Sequence, residues 1–378
     1  MKINFNNKNI LIGYYFIFVS MLVLIALIKP SLNWDMIGYV ASVKNFEINN
    51  PVELHNFVFH NLKEFVSPDM YILLTDSDSQ YRIDMATNAN LFYQQLPFYE
   101  IRIAYTFCIY LMTKIGLNIF FSTYLVSIIS SVLGVVFLFN ALKDKIYIGF
   151  LYALPLFLMF AGIINLTRLS TPDSMAFLCL SIFVYLFSNK KIIFLLAIMP
   201  LFVLVRTDMI IFNLLVFFVI FVIYSNHRKS VYISLLATIL FYLSINSVFN
   251  NYGWATIFSV TLVERISNPA DVMLSISVGE YLKAFLHGII GMLGDRVFLG
   301  FFSITCAFLL IIKKIQFSFQ ENKEIFIYGF ISILYIFIHF ILFPVVWDRF
   351  FIGFYTMIIV SIMLFISKII TKNDPSPL

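Results

Sequence analysis

The chain has 378 residues, 61% of them hydrophobic and 12% charged, with a formal net charge of +5. Its apolar stretches recur at lengths that match a bilayer core, which excludes a soluble globular domain. So small a basic excess on such a chain reports membrane topology and excludes nucleic-acid binding by charge.

The first apolar run, "ILIGYYFIFVSMLVLIALI" at 10–28, follows Lys2 and Lys8 and has no small-residue cleavage pattern before Pro30, so it reads as a retained span. Directly after it comes "NWDMIGYVAS" at 33–42. Trp34, Ile37 and Ala41 share one helical face, with Asp35, Gly38, Tyr39 and Ser42 on adjoining ones. The expectation is a short helix lying at the membrane interface, anchored by Trp34 and Tyr39 at headgroup depth. Asp35 then stands where a lipid headgroup meets water, and a carboxylate in such a partly dry cleft can be tuned to take a proton from a hydroxyl.

Residues 30–117 are too long for a passive loop and read as a folded surface layer. Within it, Asp76-Ser77-Asp78 spells a DxD that either binds a divalent metal through its oxygens or simply forms a turn. In "LPFYEIR" at 96–102, Glu100 and Arg102 open the apolar segment 101–116 and either pair locally or line the cleft.

The clusters Lys143/Lys145, Lys190/Lys191, Arg228/Lys229, Lys313/Lys314 with Lys323, and Lys368/Lys372 all fall where a chain starting inside returns to the cytoplasm. That agreement requires 101–116 to lie in the interface or re-enter. The prediction is an all-α polytopic bundle, residues 1–378 forming one integral membrane domain. Its spans, about ten in number, lie at 10–28, 118–142, 146–165, 174–189, 192–205, 209–224, 231–249, 297–312, 325–343 and 350–367. Both termini are cytoplasmic, and 30–117 and 250–296 lie outside.

With this topology Arg82, Arg102, Arg168, Arg206, Arg265, Arg296 and Arg349 fall on the outer side, seven of the eight arginines. Guanidinium groups bind phosphates and carboxylates bidentately, so a ring of them suggests an anionic ligand or paired acids. Three stand beside an acid at the mouth of a span, in "TRLSTPDSM" (167–175), "LVRTDMI" (204–210) and "VVWDRFF" (345–351). In the first, Thr171 reads as N-cap, Pro172 as the first helical residue and Asp173 as a first-turn acid facing the helix dipole or a cavity. Asp208 carries the same two readings. In the second outer segment, Tyr252 and Trp254 read as an interfacial anchor or a platform for a sugar face, and Arg265 as a partner for the anionic group of a ligand. Cys108, Cys179 and Cys306 lie in apolar runs as reduced packing residues, and the five His show no ligand spacing.

Together these elements resemble the GT-C superfamily of membrane glycosyltransferases, which contains the protein mannosyltransferases and the aminoarabinose transferases of lipid A. The parallels are "NWDMIGY" soon after the first span, "LPFYEIRIAYTFCIYL" closing a long first outer loop, "RLSTPDSM" opening a later span, and "WDRFF" before a late one. The likeness covers residues 1 to about 225 best and is strongest to uncharacterised bacterial members. It implies a multi-pass enzyme of the bacterial cytoplasmic membrane that passes a sugar from a polyprenyl-phosphate donor to a lipid- or glycan-linked acceptor on the outer face. Membrane lipids are its surroundings and no nucleic acid is involved. Asp35 takes the position of the catalytic base and Asp173 that of the second acid. Arg102, Arg168, Arg206, Asp208, Arg265, Arg349, Tyr39 and Glu100 are the expected substrate-binding residues. No cofactor is assigned, and a divalent metal is left open.

Two other readings remain. A Wzy-like O-antigen or capsule polymerase also depends on outer arginines, but carries them in large loops between middle spans. A transporter or flippase places charges near the bilayer midplane and often has paired halves, whereas these charges crowd the outer mouth.

Overall fold

The computed structural model describes residues 5–76, 79–270, 276–315, 319 and 322–373. Among these the chain is helical, with no strand and one isolated bridge, Ser31 to Leu169. Helix α1 (Phe5–Ile28) leads into a layer of short helices: α2 (Trp34–Lys44), α3 (Pro51–Phe65), α4 (Pro68–Thr75), α5 (Gln80–Thr87), α6 (Ala89–Tyr93), α7 (Pro97–Glu100) and α8 (Ile103–Lys114). The sequence punctuates this layer itself. Asn33, Asn50, Ser67, Asn88 and Asn118 each accept a backbone N–H at the start of a helix, and Pro51 and Pro68 occupy first-turn positions where no donor is lost.

The remaining helices are α9 (Ile119–Leu142), α10 (Ile148–Ala161), α11 (Ile163–Arg168), α12 (Asp173–Ser188), α13 (Ile192–Ile198), α14 (Phe202–Val205) and α15 (Met209–Ile223), then α16 (Arg228–Val248), α17 (Trp254–Phe258), α18 (Val278–Gly294), α19 (Arg296–Ile315), α20 (Lys323–Leu342) and α21 (Asp348–Asn373). Among the described residues five helices are long and apolar enough to cross a membrane, at 9–28, 119–142, 225–248, 323–342 and 348–371. The pair α18 and α19, bent by 82°, makes a sixth if counted as one span. The segments expected at 146–165, 174–189, 192–205 and 209–224 are helical but short. Gly162, at φ +101°, ends α10 in a left-handed turn, and Pro200 sits in a 3₁₀ turn between α13 and α14.

The largest core joins α1, α9–α16 and α19–α21, with α12 packed along α9 and α20 along α21. A second core fills the short-helix layer. Helix α2 belongs to that interior: from Trp34 to Val43 every residue except Asp35 is buried. The expected interfacial helix is therefore corrected. Trp34 packs edge-on against Tyr81 and Tyr39 against Tyr99 and Tyr105, so neither ring is a lipid-facing anchor. Segment 101–116 supplies α8, which packs on α2, α9 and α14, and the buried Tyr105 donates its hydroxyl to Thr123 O at 2.8 Å.

Turns between helices collect into two groups. Lys145 pairs with Glu324 at 2.7 Å and donates to Ser188 O, Tyr147 N donates to Ser367 Oγ, and Lys323 lies over Tyr224. These contacts join the turns near 145, 188, 224, 323 and 367 at one end. At the other, Ser31 N donates to Arg168 O, and the turns at 29–35, 168–173, 206–208 and 343–349 converge.

Candidate functional site

Five ionised side chains from distant parts of the sequence form one line at the second end. Asp35 enters in the first turn of α2. Its Oδ2 accepts from Arg349 Nη1 at 2.7 Å, on the first turn of α21. Arg349 Nε faces Asp173 Oδ2 at 3.8 Å, while Asp173 Oδ1 accepts from Arg206 Nη1. Arg206 then grips Asp208 with both remaining nitrogens, Nε to Oδ1 at 3.0 Å and Nη2 to Oδ2 at 2.6 Å. Asp208 Oδ2 also accepts the Tyr335 hydroxyl at 2.9 Å and lies 3.6 Å from His339 Nε2.

Burial is deepest at the centre of the line. Asp173 and Arg206 have side chains 3% and 7% exposed, whereas those of Asp35, Arg349 and Asp208 are 28%, 24% and 26% exposed. The central pair is thus a fixed support, and both ends of the line are partly exposed. Burial opposes ionisation of Asp208, but the Arg206 guanidinium holds its carboxyl well below the usual carboxylate range. Phe350 lies between the two arginines, their guanidinium carbons 4.3 Å and 5.3 Å from its ring centre. Three carboxylates and two guanidiniums give the line a formal charge of minus one, so an anion arriving there has to draw a guanidinium away from a carboxylate. Only Oδ2 of Asp35 is engaged among the described residues, which leaves Oδ1 to accept a proton.

No family model, curated protein or solved structure matches this chain.

Asp35, Asp173, Arg206, Asp208 and Arg349 are thus brought together. Tyr39 is on the same helix as Asp35 but packs against Tyr99 and Tyr105, and burial raises its phenol so that it stays protonated. Arg168 does not join them: its Nε caps Lys29 O at 2.5 Å at the end of α1. Arg102 donates to Phe98 O, and Glu100 accepts from Asn45 at 2.8 Å, so these two neither pair nor enter the line; burial pushes the Glu100 carboxyl up. Arg265 is exposed, its guanidinium 4.6 Å from the Tyr81 ring centre, with no carboxylate at ion-pair distance among the described residues.

Thr171 does not cap α12 as expected. The helix begins at Asp173 with Pro172 at the N-cap position, one residue later than expected, and the Thr171 hydroxyl instead donates to Asp173 Oδ2 at 2.7 Å. Tyr252 and Trp254 clasp backbone, Tyr252 donating to Gln94 O and Trp254 to Leu342 O, so the sugar-platform reading gains no support. Among the described residues no group of three or more His, Cys, Asp and Glu is placed to hold a metal. Ser77 and Asp78 of the DxD lie outside the described residues. The cluster's own carboxylates do not fit a metal site, since each is bound by a guanidinium. Cys306 is exposed and is not the packing residue expected, while Cys179 is buried. Sequence reasoning missed Tyr335, His339 and Phe350, which sit inside apolar runs; the sole signal was a pair of polar residues four apart on α20.

Proposed function

We propose that the protein is a membrane glycosyltransferase of the GT-C type, acting at the outer face of a bacterial cytoplasmic membrane on a polyprenyl-phosphate sugar and a lipid- or glycan-linked acceptor. The observation that carries this reading is the meeting of the partly exposed Asp35 and Arg349 beside the buried pair Asp173–Arg206. Displacing a polyprenyl phosphate from an anomeric carbon needs a base for the incoming hydroxyl and positive charge on the departing phosphate. Asp35 supplies the first. Arg349 supplies the second by turning from Asp35 to the phosphate, which also frees the carboxylate to act as base. The acceptor oxygen bonds to the anomeric carbon, its proton passes to Asp35, and the old C–O electron pair leaves with the phosphate. Arg265 offers a further cation to that group. Asp173 holds both arginines and is a positioning residue.

In this reading the four short helical segments also pass from one end of the bundle to the other, giving ten passes with both termini inside. The grouping of the lysine-bearing turns supports it. The experiment is turnover of the purified protein with labelled polyprenyl-phosphate sugars. Transfer by wild type, and transfer lower by about a hundredfold or more in Asp35→Asn, is the expected result. Burial of Arg206 and Asp173 within a helix bundle favours one other reading, a lipid or polysaccharide transporter. Vesicle-based lipid translocation without sugar transfer would establish that reading instead.

A further inference from the structure

A second polar site lies at the opposite end of α2 from Asp35. A cavity of about 360 Å³ opens between the end of α2, α3 and α8, lined among others by Lys44, Glu47, Phe57, Asn61, Tyr110 and Lys114. Glu47 accepts hydrogen bonds from both lysines, from Lys114 at 2.7 Å and from Lys44. Each ammonium is also held over a ring, Lys44 at 4.8 Å from the Phe57 centre and Lys114 at 5.1 Å from that of Tyr110. The lysines hold the Glu47 carboxyl down at about 2, so it is ionised at neutral pH. Two ammonium groups against one carboxylate leave one positive charge uncompensated in a concave, aromatic-walled site.

The remaining wall suits a headgroup that carries hydroxyls. Asn118 spends its carbonyl on the N–H groups of Phe120 and Phe121, which leaves its amide as a donor. Asn61 spends its amide on Phe57 O, which leaves its carbonyl as an acceptor. The surroundings are apolar: Phe107 and Leu111 on α8 and Ile115 just past its end, spaced four apart, are 53%, 48% and 78% exposed, and Phe46, against the Tyr110 ring, is 54% exposed. A free phosphate ester has no use for that stripe, whereas acyl chains cover it.

We propose that this pocket binds the phosphate of an anionic phospholipid headgroup, with the lipid chains lying along the exposed face of α8. Lys44 stands nine residues beyond Asp35 on the same helix, about 14 Å at 1.5 Å per residue, so the lipid fixes one end of the element that carries Asp35 at the other. The inference does not depend on sugar transfer.

The test titrates the full chain, purified in zwitterionic micelles, with short-chain phosphatidylglycerol, short-chain phosphatidylcholine and glycerol phosphate. Phosphatidylglycerol is expected to bind most tightly. The double variant Lys44→Gln/Lys114→Gln is expected to weaken it about thirtyfold, from about 1 kcal/mol per lysine at a lipid phosphate. Glu47→Gln is expected to tighten it, a gain that misfolding cannot produce. Equal binding of the two lipids, unchanged binding by the lysine variant, or no gain in Glu47→Gln overturns the proposal. Glycerol phosphate binding as tightly as phosphatidylglycerol overturns the assignment to a lipid. Asp35→Asn is expected to bind the lipid as wild type does, so loss of sugar transfer and loss of this site are read separately.

Discussion

Asp173 and Arg206 are the most deeply buried partners in the charge line, and a charge left alone there has no water to turn to. Arg206→Ala strands Asp173 and Asp208 together and is expected to cost about 3–5 kcal/mol of stability, read by thermal or denaturant unfolding. Asp35 stands at the open rim, so Asp35→Asn is expected to keep its melting temperature and donor binding while turnover falls on the order of a hundredfold to ten-thousandfold. Asp173→Asn reverses that pattern, with stability falling further than in Asp35→Asn, since more than a helix-dipole contact worth about 0.3–1 kcal/mol is lost. An Asp35→Asn protein with normal turnover removes the base from the mechanism. The charged members of this line were legible in the sequence because an ion at the mouth of an apolar run is conspicuous. Phe350, Tyr335 and His339 were not, since a ring within such a run looks the same whether it meets lipid or a guanidinium.

Helix α2 positions Asp35 through close packing, and Gly38 makes that packing possible. A Cβ at Gly38 would lie 2.5 Å from the Tyr99 ring, which sits directly against the helix backbone. Gly38→Ala is expected to destabilise the protein by about 1–3 kcal/mol, typical of an overpacked site, and to lower turnover by shifting Asp35. Combining it with Tyr99→Ala should recover part of the activity in the same assay; a Gly38→Ala protein as stable as wild type would mean that the ring moves freely. The existence of this helix followed from the sequence. Its surroundings did not, because a segment rich in apolar residues is equally suited to lipid or to a protein interior, and only the neighbouring α3, α5 and α8 decide. The same ambiguity hid α18, whose exposed Val278, Leu282, Leu286, Ile290 and Leu293 form one apolar stripe on a helix turned 82° from α19.

For the whole molecule, the separation of arginine-bearing turns from lysine-bearing turns is the feature that ties sequence to fold. Basic clusters spaced along the chain implied that every second turn faces the same way. The contacts Lys145–Glu324, Lys145–Ser188 and Lys323–Tyr224 bring those turns together, and Arg206–Asp173 and Arg349–Asp35 join the alternate ones. Span length was the less legible part, since Gly162 and Pro200 shorten helices inside runs whose hydropathy alone reads as continuous. The expectation is that the lysine end lies in the cytoplasm and the short-helix layer outside. The positions for the test are Glu64 on α3 and Asn226 before α16, both exposed. In a background with Cys108→Ala and Cys306→Ala, a membrane-impermeant thiol reagent on intact cells should label Glu64→Cys and leave Asn226→Cys untouched until the cells are opened. The reverse pattern would turn the molecule over and put Asp35 on the cytoplasmic face. Labelling of both positions from outside would break the link between the two groups of turns and with it the ten-pass topology.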